Sequence, residues 1–297
     1  MAEFDVGPVL AFTTVFPSAE RPTFGLFVRE RLLRAALVAD IRVVAPVPWF
    51  QGAGGARSDT SVLTTYRPRF YYMPGLLHGS EGVLLFLSTL PFVRRLRRSF
   101  KFKIIDAHFG YPDGFAGVLL GRQLRCPVVL TLRGSELSLR QFPVRRRLMS
   151  WSVRHADRII AVSHELAELA LELGVPKDRV AVIPNGVDTD RFTVGNKTRA
   201  REALGLPDTG PLILSVGHLV PLKRFDALID AATILRSRFP GVRLAIIGGR
   251  SPVARRYPEL LRRRIAETAA DGHVILAGAL SPDRVATWLQ AATLGRP

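Results

Sequence analysis

The stretch IPNGVDTDRF, residues 183–192, separates two blocks of the chain that each alternate apolar runs with helical patterns. Pro184 lacks a backbone donor, Asn185-Gly186 favours a tight turn with positive φ, and Asp188 and Asp190 can cap the segment that follows. A surface loop within one domain is the simpler interpretation of such a stretch. Its place between two strand–helix alternations instead predicts a connection between two α/β domains.

The two blocks predict two Rossmann-like domains, residues 1–188 and residues 189–297. In the first block the apolar runs, rich in Val, Ile and Leu, are continuous, which is typical of parallel strands covered by helices on both faces. A hydrophobic fraction of 47% in 297 residues supplies enough apolar side chains for two cores. The fold class is therefore α/β, with the first domain complete and the second incomplete.

The net charge of +17 is unevenly distributed along the chain. Residues 91–150 contain thirteen Lys and Arg against three acidic residues, a local balance of +10. Such a field attracts phospholipid headgroups, phosphate-bearing substrates or nucleic acid. An arginine-rich coding bias spread over solvated helix faces is the alternative. No zinc finger or aromatic RNA-binding motif occurs, so we expect no nucleic-acid partner.

Residues 82–100 combine an apolar half with a cationic end, and Pro91 predicts a kink or a restart of the helix. An apolar body with a basic terminus suits an interfacial helix on an anionic membrane. A helix that faces the core and has a solvated end has the same pattern. Both interpretations stay open at the level of sequence.

The chain has no predicted signal peptide and no apolar run of 18 residues, so we expect a cytoplasmic protein, peripheral at most on the inner face of the plasma membrane. The single cysteine, Cys126, lies in an apolar run and predicts a buried thiol in a reducing compartment. The six histidines are scattered without the spacing of metal ligands. We therefore predict no metal site.

Three motifs of the first block follow predicted strands: FPSAERPTFGLFVRERL (residues 16–32), DAHFGYPDGFAG (106–117) and VVLTLRGSEL (128–137). Ligands of open α/β sheets bind at the carboxyl ends of the strands. The candidate residues at these positions are Gly25, His108, Asp113, Arg133, Gly134 and Glu136. Taken alone, a histidine such as His108 is more often satisfied in the core or at a cap, and its place at the carboxyl end of a strand shifts the interpretation toward function.

The second block contains SVGHLVPLKRFDALIDA, residues 215–231, in which Lys223 and Arg224 precede a predicted helix. The free N–H groups and partial positive charge of a helix N-terminus favour a diphosphate, and two cations strengthen that preference. An ordinary basic start of a helix has the same composition. Further along, Gly248-Gly249 permits a close approach of the backbone to a ligand.

Together, these motifs and the 183–192 stretch resemble the retaining glycosyltransferases of family 4, which have the GT-B fold. The resemblance covers nearly the whole chain. It departs from the family pattern at three positions: Arg133 stands where His is usual, His218 where Arg is usual, and Arg224 where Gly is usual. Lys223 is retained. The usual histidine commonly meets the donor sugar, so Arg133 makes an anionic ligand group more plausible there.

The resemblance implies transfer of a hexosyl group, with retention, from a nucleotide sugar to a glycan or polyprenyl-linked acceptor in cell-surface or exopolysaccharide synthesis. The nucleotide sugar is a co-substrate, and no cofactor is implied. The implied catalytic residues are His108, Arg133 and Lys223. The implied donor-binding residues are Gly217, His218, Lys223, Arg224, Gly248 and Gly249, and the implied acceptor-side residues are Gly25, Asp113, Gly134 and Glu136.

Family members continue with three more strands and an acidic motif that this sequence does not contain. We therefore expect the strand at residues 212–219 to form an exposed edge and nucleotide-sugar binding to be weak or absent. The alternative function is a catalytically inactive fragment that retains only binding of an anionic lipid or an acceptor.

Overall fold

The computed structural model describes residues 7–51, 57–59, 63–72, 79–250 and 254–296, and the chain divides into two compact units. Unit 1 comprises Met1–Gly186 and unit 2 comprises Val187–Pro297. Each unit is built around its own, predominantly parallel, sheet. Within the described ranges, no helix has the length and apolar character needed to cross a membrane.

The described residues of unit 1 form the strands β1 (Val9–Phe12), β2 (Ile41–Val44), β3 (Val47–Pro48), β4 (Arg57–Asp59), β5 (Thr64–Tyr66), β6 (Arg69–Phe70), β7 (Ile104–His108), β8 (Val128–Leu132), β9 (Arg158–Ala161) and β10 (Val180–Val182). The main sheet has the order β10-β9-β8-β7-β1-β2-β5-β4, and β3 pairs with β6 in a small second sheet. All neighbouring pairs are parallel except β4 with β5.

The helices of unit 1 are α1 (Leu26–Ala35), α2 (Glu81–Ser99), α3 (Asp113–Leu124), α4 (Ser135–Leu139), α5 (Pro143–His155) and α6 (His164–Glu172). Leu10 and Phe12 of β1 are buried in the cluster that includes residues of α2, α3 and α5. Val9 and Ala11 point to the other face and pack in the cluster that contains Leu32 of α1. Both faces of the sheet are covered, which confirms the prediction from continuous apolar strands.

Helix α2 continues without a break through Pro91, so the predicted restart does not occur. Pro91 is exposed, and the carbonyl that loses its hydrogen bond belongs to Leu87, whose side chain is 55% exposed. Water can therefore satisfy that carbonyl. Leu85, Val93 and Leu96 are buried in the core of unit 1. This helix therefore faces the core, as one of the two interpretations predicts, although Val83 and Leu87 remain 39% and 55% exposed.

The 183–192 stretch forms no helix or strand. Neither Asn185 nor Gly186 has a positive φ, so the predicted turn with that geometry is wrong. Asp188 does cap the local turn, because its Oδ1 accepts hydrogen bonds from the backbone N–H groups of Asp190 and Arg191 at 3.2 and 3.3 Å.

The described residues of unit 2 form the strands β11 (Leu212–Val216), β12 (Arg243–Ile247), β13 (Val274–Gly278) and β14 (Leu294–Arg296) and the helices α7 (Lys197–Ala203), α8 (Phe225–Arg236), α9 (Tyr257–Glu267) and α10 (Pro282–Ala291). The sheet is parallel and has the order β13-β12-β11-β14. Residues of α8 and α9 pack on one side of it and residues of α7 and α10 on the other.

Strand β14 corrects the expectation of an exposed edge at β11. It pairs in parallel with β11, with Ile213 opposite Leu294 and Ser215 opposite Arg296. These three residues form the parallel pairing with β11, although so short a segment is not recognisable as a strand from its sequence. Strand β11 is therefore an inner strand of the sheet.

Arg201 of α7 is the largest side chain that is almost fully buried in unit 2, with 2% exposure. Its guanidinium donates to the carbonyl oxygens of Ala291, Pro207, Asp208 and Gly210 at 2.7–3.2 Å. Buried backbone acceptors need such donors. Arg201 thus connects α7, α10 and the loop that leads into β11.

Candidate functional site

The first candidate position in unit 1 is the turn from β1 into α1, where Gly25 forms the N-cap with a φ of 76°. A Cβ atom at this position would lie 2.4 Å from the carbonyl oxygen of Val15. Both the left-handed backbone and the close contact exclude other side chains. The glycine therefore fixes the path of the loop beside the sheet.

His108, at the end of β7, is completely buried. Its Nδ1 accepts a hydrogen bond from Nε of Arg133 at 3.2 Å, which places the proton on Nε2. That Nε2 lies 3.5 Å from Oδ2 of Asp106, too far for a good hydrogen bond. Burial, together with the charges of Arg133 and Arg31, holds the pKa of His108 well below its usual range. The histidine is neutral and has no surface left for a substrate.

Arg133 follows β8 and lies over the edge of the same sheet. Its Nη1 donates to Oδ1 of Asn185 at 3.0 Å, and its guanidinium stacks 5.4 Å from the centre of the Phe27 ring. Burial and the neighbouring Arg31 lower the pKa of Arg133 to about 10. Arg133 therefore remains a cation at neutral pH, next to a histidine that does not.

Asp113 begins α3 and is 1% exposed. Its carboxylate accepts hydrogen bonds from the backbone N–H of Thr14 at 2.6 Å, from the Thr14 hydroxyl at 2.9 Å and from the Thr13 hydroxyl at 3.2 Å. Burial nevertheless raises its pKa to about 7. The side chain ties the end of β1 to the start of α3 and does not face an open site.

Glu136 is also fully buried, in the short helix α4. It accepts hydrogen bonds from three backbone N–H groups, those of Gly110 at 2.7 Å, Gly134 at 2.7 Å and Arg133 at 3.2 Å. Gly134 has a φ of 117° and leaves open space at its Cβ position. Glu136 therefore holds the loop that presents Arg133.

A cavity of about 400 Å³ lies in unit 1, and sequence analysis did not find it. Its lining includes Thr14, Arg21, Gln51, Tyr72, Glu81 and Arg145. Nη2 of Arg21 donates to Oε1 of Gln51 at 2.7 Å, while Arg145 forms an ion pair with Glu81. The volume is in the range of sites for small ligands. Arg21 belongs to the FPSAERPTF loop, but nothing in the sequence connects Glu81 with Arg145, 64 residues away.

In unit 2, Gly217 and Gly248 bring the carboxyl ends of β11 and β12 into direct contact. A Cβ atom on Gly248 would lie 1.8 Å from the carbonyl oxygen of Gly217. The side chain of Lys223 runs beside Gly217, since a Cβ atom there would be 3.5 Å from Cε of Lys223. Lys223 and the first turn of α8 thus lie next to backbone that carries no side chains, at Gly217 and Gly248. This geometry suits a diphosphate.

Family models match the two units separately. The model of Glycosyltransferase Family 4 matches residues 40–191, and the model of Glycosyl transferases group 1 matches residues 196–294. The chain belongs to glycosyltransferase family 4.

Relatives and solved structures agree with the family assignment. A D-inositol 3-phosphate glycosyltransferase of Acidothermus cellulolyticus is 39% identical over 48% of this chain and 33% of its own length. The putative teichuronic acid biosynthesis glycosyltransferase TuaC of Bacillus subtilis is 27% identical over 77% of this chain and 62% of its own. The matched part therefore spans less than two thirds of either relative.

Two solved structures show that the fold is GT-B. Sucrose-phosphate synthase from Thermosynechococcus elongatus superposes with a TM-score of 0.73 at 18% identity, over 97% of this chain and 74% of its own. Anabaena HepE in complex with UDP and glucose gives a TM-score of 0.71 at 16% identity, over 97% and 73% of the two chains. These similarities establish the architecture of the family-4 chain.

Two departures from the family pattern lie in the loop before α8. His218, Lys223 and Arg224 are exposed, and Gly249 is partly exposed and accepts a hydrogen bond from the backbone N–H of Leu219 at 3.0 Å. Arg224 has a φ of 50°, a left-handed conformation that explains why glycine is usual at this position. Among the described residues, no group of His, Cys, Asp and Glu has the arrangement of a metal site.

Proposed function

We propose that this family-4 protein is a retaining glycosyltransferase that moves a hexosyl group from a nucleotide sugar to a glycan or lipid-linked acceptor. Cell-surface or exopolysaccharide synthesis is the process in which we expect it. The observation that carries the proposal is the junction of β11, β12 and α8, where Lys223 adjoins the bare backbone of Gly217 and Gly248. The nucleotide sugar acts as a co-substrate, and the proposal needs no resident cofactor.

On the donor side, the chemistry requires stabilisation of the departing nucleoside diphosphate. The N-terminus of α8 provides a partial positive charge, and Lys223 adds a full charge beside it. The N–H of Asp226 in that turn donates to the Tyr257 hydroxyl at 3.4 Å. Arg224 is a weaker candidate because its guanidinium already lies 3.7 Å from the carboxylate of Asp226. The HepE structures hold UDP and UDP-glucose, which favours a UDP-hexose as the donor.

On the acceptor side, we assign the 400 Å³ cavity of unit 1 to the acceptor. Arg21, Gln51 and Thr14 offer donors and acceptors for hydroxyl groups, and the Tyr72 ring, stacked on Phe70 with ring centres 5.3 Å apart, offers an aromatic face. His108 then acts as a positioning residue for Arg133, because it has no exposed surface. Asp113 and Glu136 shape the loops around the site.

A lipid-linked acceptor implies attachment to a membrane, and the start of α5 is the surface that we assign to it. Phe142 and Val144 are 44% and 56% exposed. Arg146, Arg147 and Arg154 line an adjacent groove. Exposed apolar side chains beside cations suit the interface of an anionic bilayer. The inner face of the plasma membrane is the location that follows from this proposal.

The donor assignment is tested by Lys223→Ala. We expect the turnover of UDP-hexose, measured as UDP released in the presence of acceptor, to fall about a hundredfold, because Lys223 offsets charge that develops in the transition state. The melting temperature should change little, since Lys223 is exposed. Lys177→Ala, at an exposed lysine of unit 1, is the control. Unchanged turnover in Lys223→Ala would show that this lysine is only a solvated residue.

The membrane assignment is tested with vesicles. Binding to vesicles with 30% or so anionic lipid should be strong at low salt and should fade as the Debye length shrinks toward about 3 Å near 1 M salt. The double variant Phe142→Ser and Val144→Ser should bind at least several-fold more weakly. The control is Leu235→Ser, at a comparably exposed leucine of unit 2. Equal binding to neutral and anionic vesicles would remove this part of the proposal.

A further inference from the structure

Two arginines from different parts of unit 1 reach the same short segment. Nη1 of Arg31, from α1, donates to the carbonyl oxygen of Ile183 at 3.4 Å. Nη1 of Arg133, after β8, donates to Oδ1 of Asn185 at 3.0 Å. Both side chains are partly buried. Their charges act on each other and on the pair formed by Asp106 and His108. Two guanidinium groups are therefore held close together beside the sheet.

Neither guanidinium is neutralised by a direct ion pair. Among the described residues, no carboxylate oxygen lies within 4.0 Å of Arg31 or Arg133, whereas Arg29, Arg140 and Arg145 of unit 1 have such partners. Asp106, the nearest acidic side chain on β7, is directed to Nε2 of His108 and to the Thr131 hydroxyl at 3.4 Å. Glu136 is occupied by backbone N–H groups.

Hydrogen-bond donors remain available on both side chains. An arginine has five N–H donors. Arg133 uses three of them, two toward Nδ1 of His108 and one toward Asn185, which leaves one N–H on each Nη nitrogen. Arg31 uses one. A partly buried pair of like charges with free donors is costly unless an anion compensates it.

We propose that Arg31 and Arg133 form a receptor for an anionic group, a carboxylate or a phosphate, carried by one of the substrates. This inference rests on the proposed transferase function and adds a specificity that the function alone does not require. Arg133 is the fixed half, because His108, Asn185 and the Phe27 ring hold its guanidinium from three sides. Arg31, which has a single long hydrogen bond, is the half that can move to the ligand.

Two substrates could carry the anionic group, so the test has two arms. Titration calorimetry compares UDP-glucuronate with UDP-glucose for a carboxylate on the donor. It compares glucose 6-phosphate with glucose, in the presence of UDP, for a phosphate on the acceptor. In one of the two arms, we expect the anionic ligand to bind at least tenfold more tightly than its neutral counterpart.

The preference should depend on both arginines. Arg31→Gln and Arg133→Gln should each reduce the ratio of affinities to within about threefold of unity. In Arg31→Gln, the affinity for the neutral ligand should change little. Arg29→Gln is the matched control, because Arg29 lies on the same helix and pairs with Glu30 at 3.4 Å. A thermal melt of each variant verifies that it is folded.

The outcomes separate this inference from the proposed function. Binding of UDP-glucose without discrimination in either arm overturns the anion receptor and leaves the transferase proposal intact. The same conclusion follows if a preference exists but persists in both glutamine variants. A protein that binds none of the four ligands contradicts both proposals.

Discussion

Two buried carboxyl groups beside the sheet of unit 1, those of Asp106 and Asp113, have pKa values above the usual range for aspartate. Burial raises the pKa of Asp106 to about 6 and that of Asp113 to about 7. Each native carboxyl group therefore binds a proton more tightly than it does in the unfolded chain. The native state carries the extra proton between about pH 4 and the native pKa, so the free energy of unfolding falls as the pH rises through that window.

Asp113→Asn provides a test of this protonation. The wild-type protein should lose stability relative to the variant as the pH rises from 4 to 7, with a slope of at most about 1.4 kcal/mol per pH unit. Above pH 7 the difference in the free energy of unfolding between the two proteins should be constant, because Asp113 is then ionised in both the native and the unfolded state. Urea denaturation at intervals of half a pH unit measures this difference. Parallel curves for the two proteins would mean that Asp113 is ionised throughout.

The sequence predicts where these residues lie but not which of them are accessible. A position at the carboxyl end of a parallel strand follows from the alternation of strands and helices. His108, Asp113 and Glu136 all have that position, and all are buried. Their burial depends on the loops that fold over them, which local sequence patterns do not describe. Arg31 and Arg145 were missed for the same reason, since their partners are distant in the sequence.

At the level of elements, the contact between β11 and β12 depends on the absence of a side chain at Gly248. The N–H of Gly248 donates to the carbonyl of Gly278, and the N–H of Gly217 donates to the carbonyl of Ile247, both at 2.8 Å. The three strand ends are thus joined by backbone hydrogen bonds beside Lys223. A methyl group at Gly248 would collide with a carbonyl oxygen rather than with a flexible side chain.

Gly248→Ala should therefore lower the free energy of unfolding by about 2–4 kcal/mol and displace the loop that carries Gly217. Donor binding should weaken with it. Gly272→Ala is the matched control, because a Cβ atom there has open space. Chemical denaturation measures the free energy of unfolding of the two variants. Equal values would show that the ends of β11 and β12 can move apart without loss of stability.

Some helices and strands could be predicted from the sequence and others could not. The long apolar strands and the helix that begins at Phe225 follow from periodicity, and the structure confirms them. Strand β14 did not follow, because three residues carry too little pattern. The continuity of α2 through Pro91 did not follow either, because it depends on whether the carbonyl of Leu87 faces water.

The whole molecule is a member of glycosyltransferase family 4 with the GT-B fold and a net charge of +17. Unit 1 carries the cavity, the two arginines and the basic surface of α5. Unit 2 carries Lys223 at the start of α8. Because β14 covers the edge of β11, an exposed edge is no longer a reason to expect weak donor binding. We therefore propose that unit 2 binds the diphosphate of the donor.

Calorimetric titration of the protein with UDP tests this expectation without requiring knowledge of the acceptor. We predict a saturable heat for the wild-type protein, an affinity at least tenfold weaker for Lys223→Ala and an unchanged affinity for Lys177→Ala. The absence of a saturable heat with UDP, or equal affinities for the wild-type protein and Lys223→Ala, would contradict the assignment of the donor site.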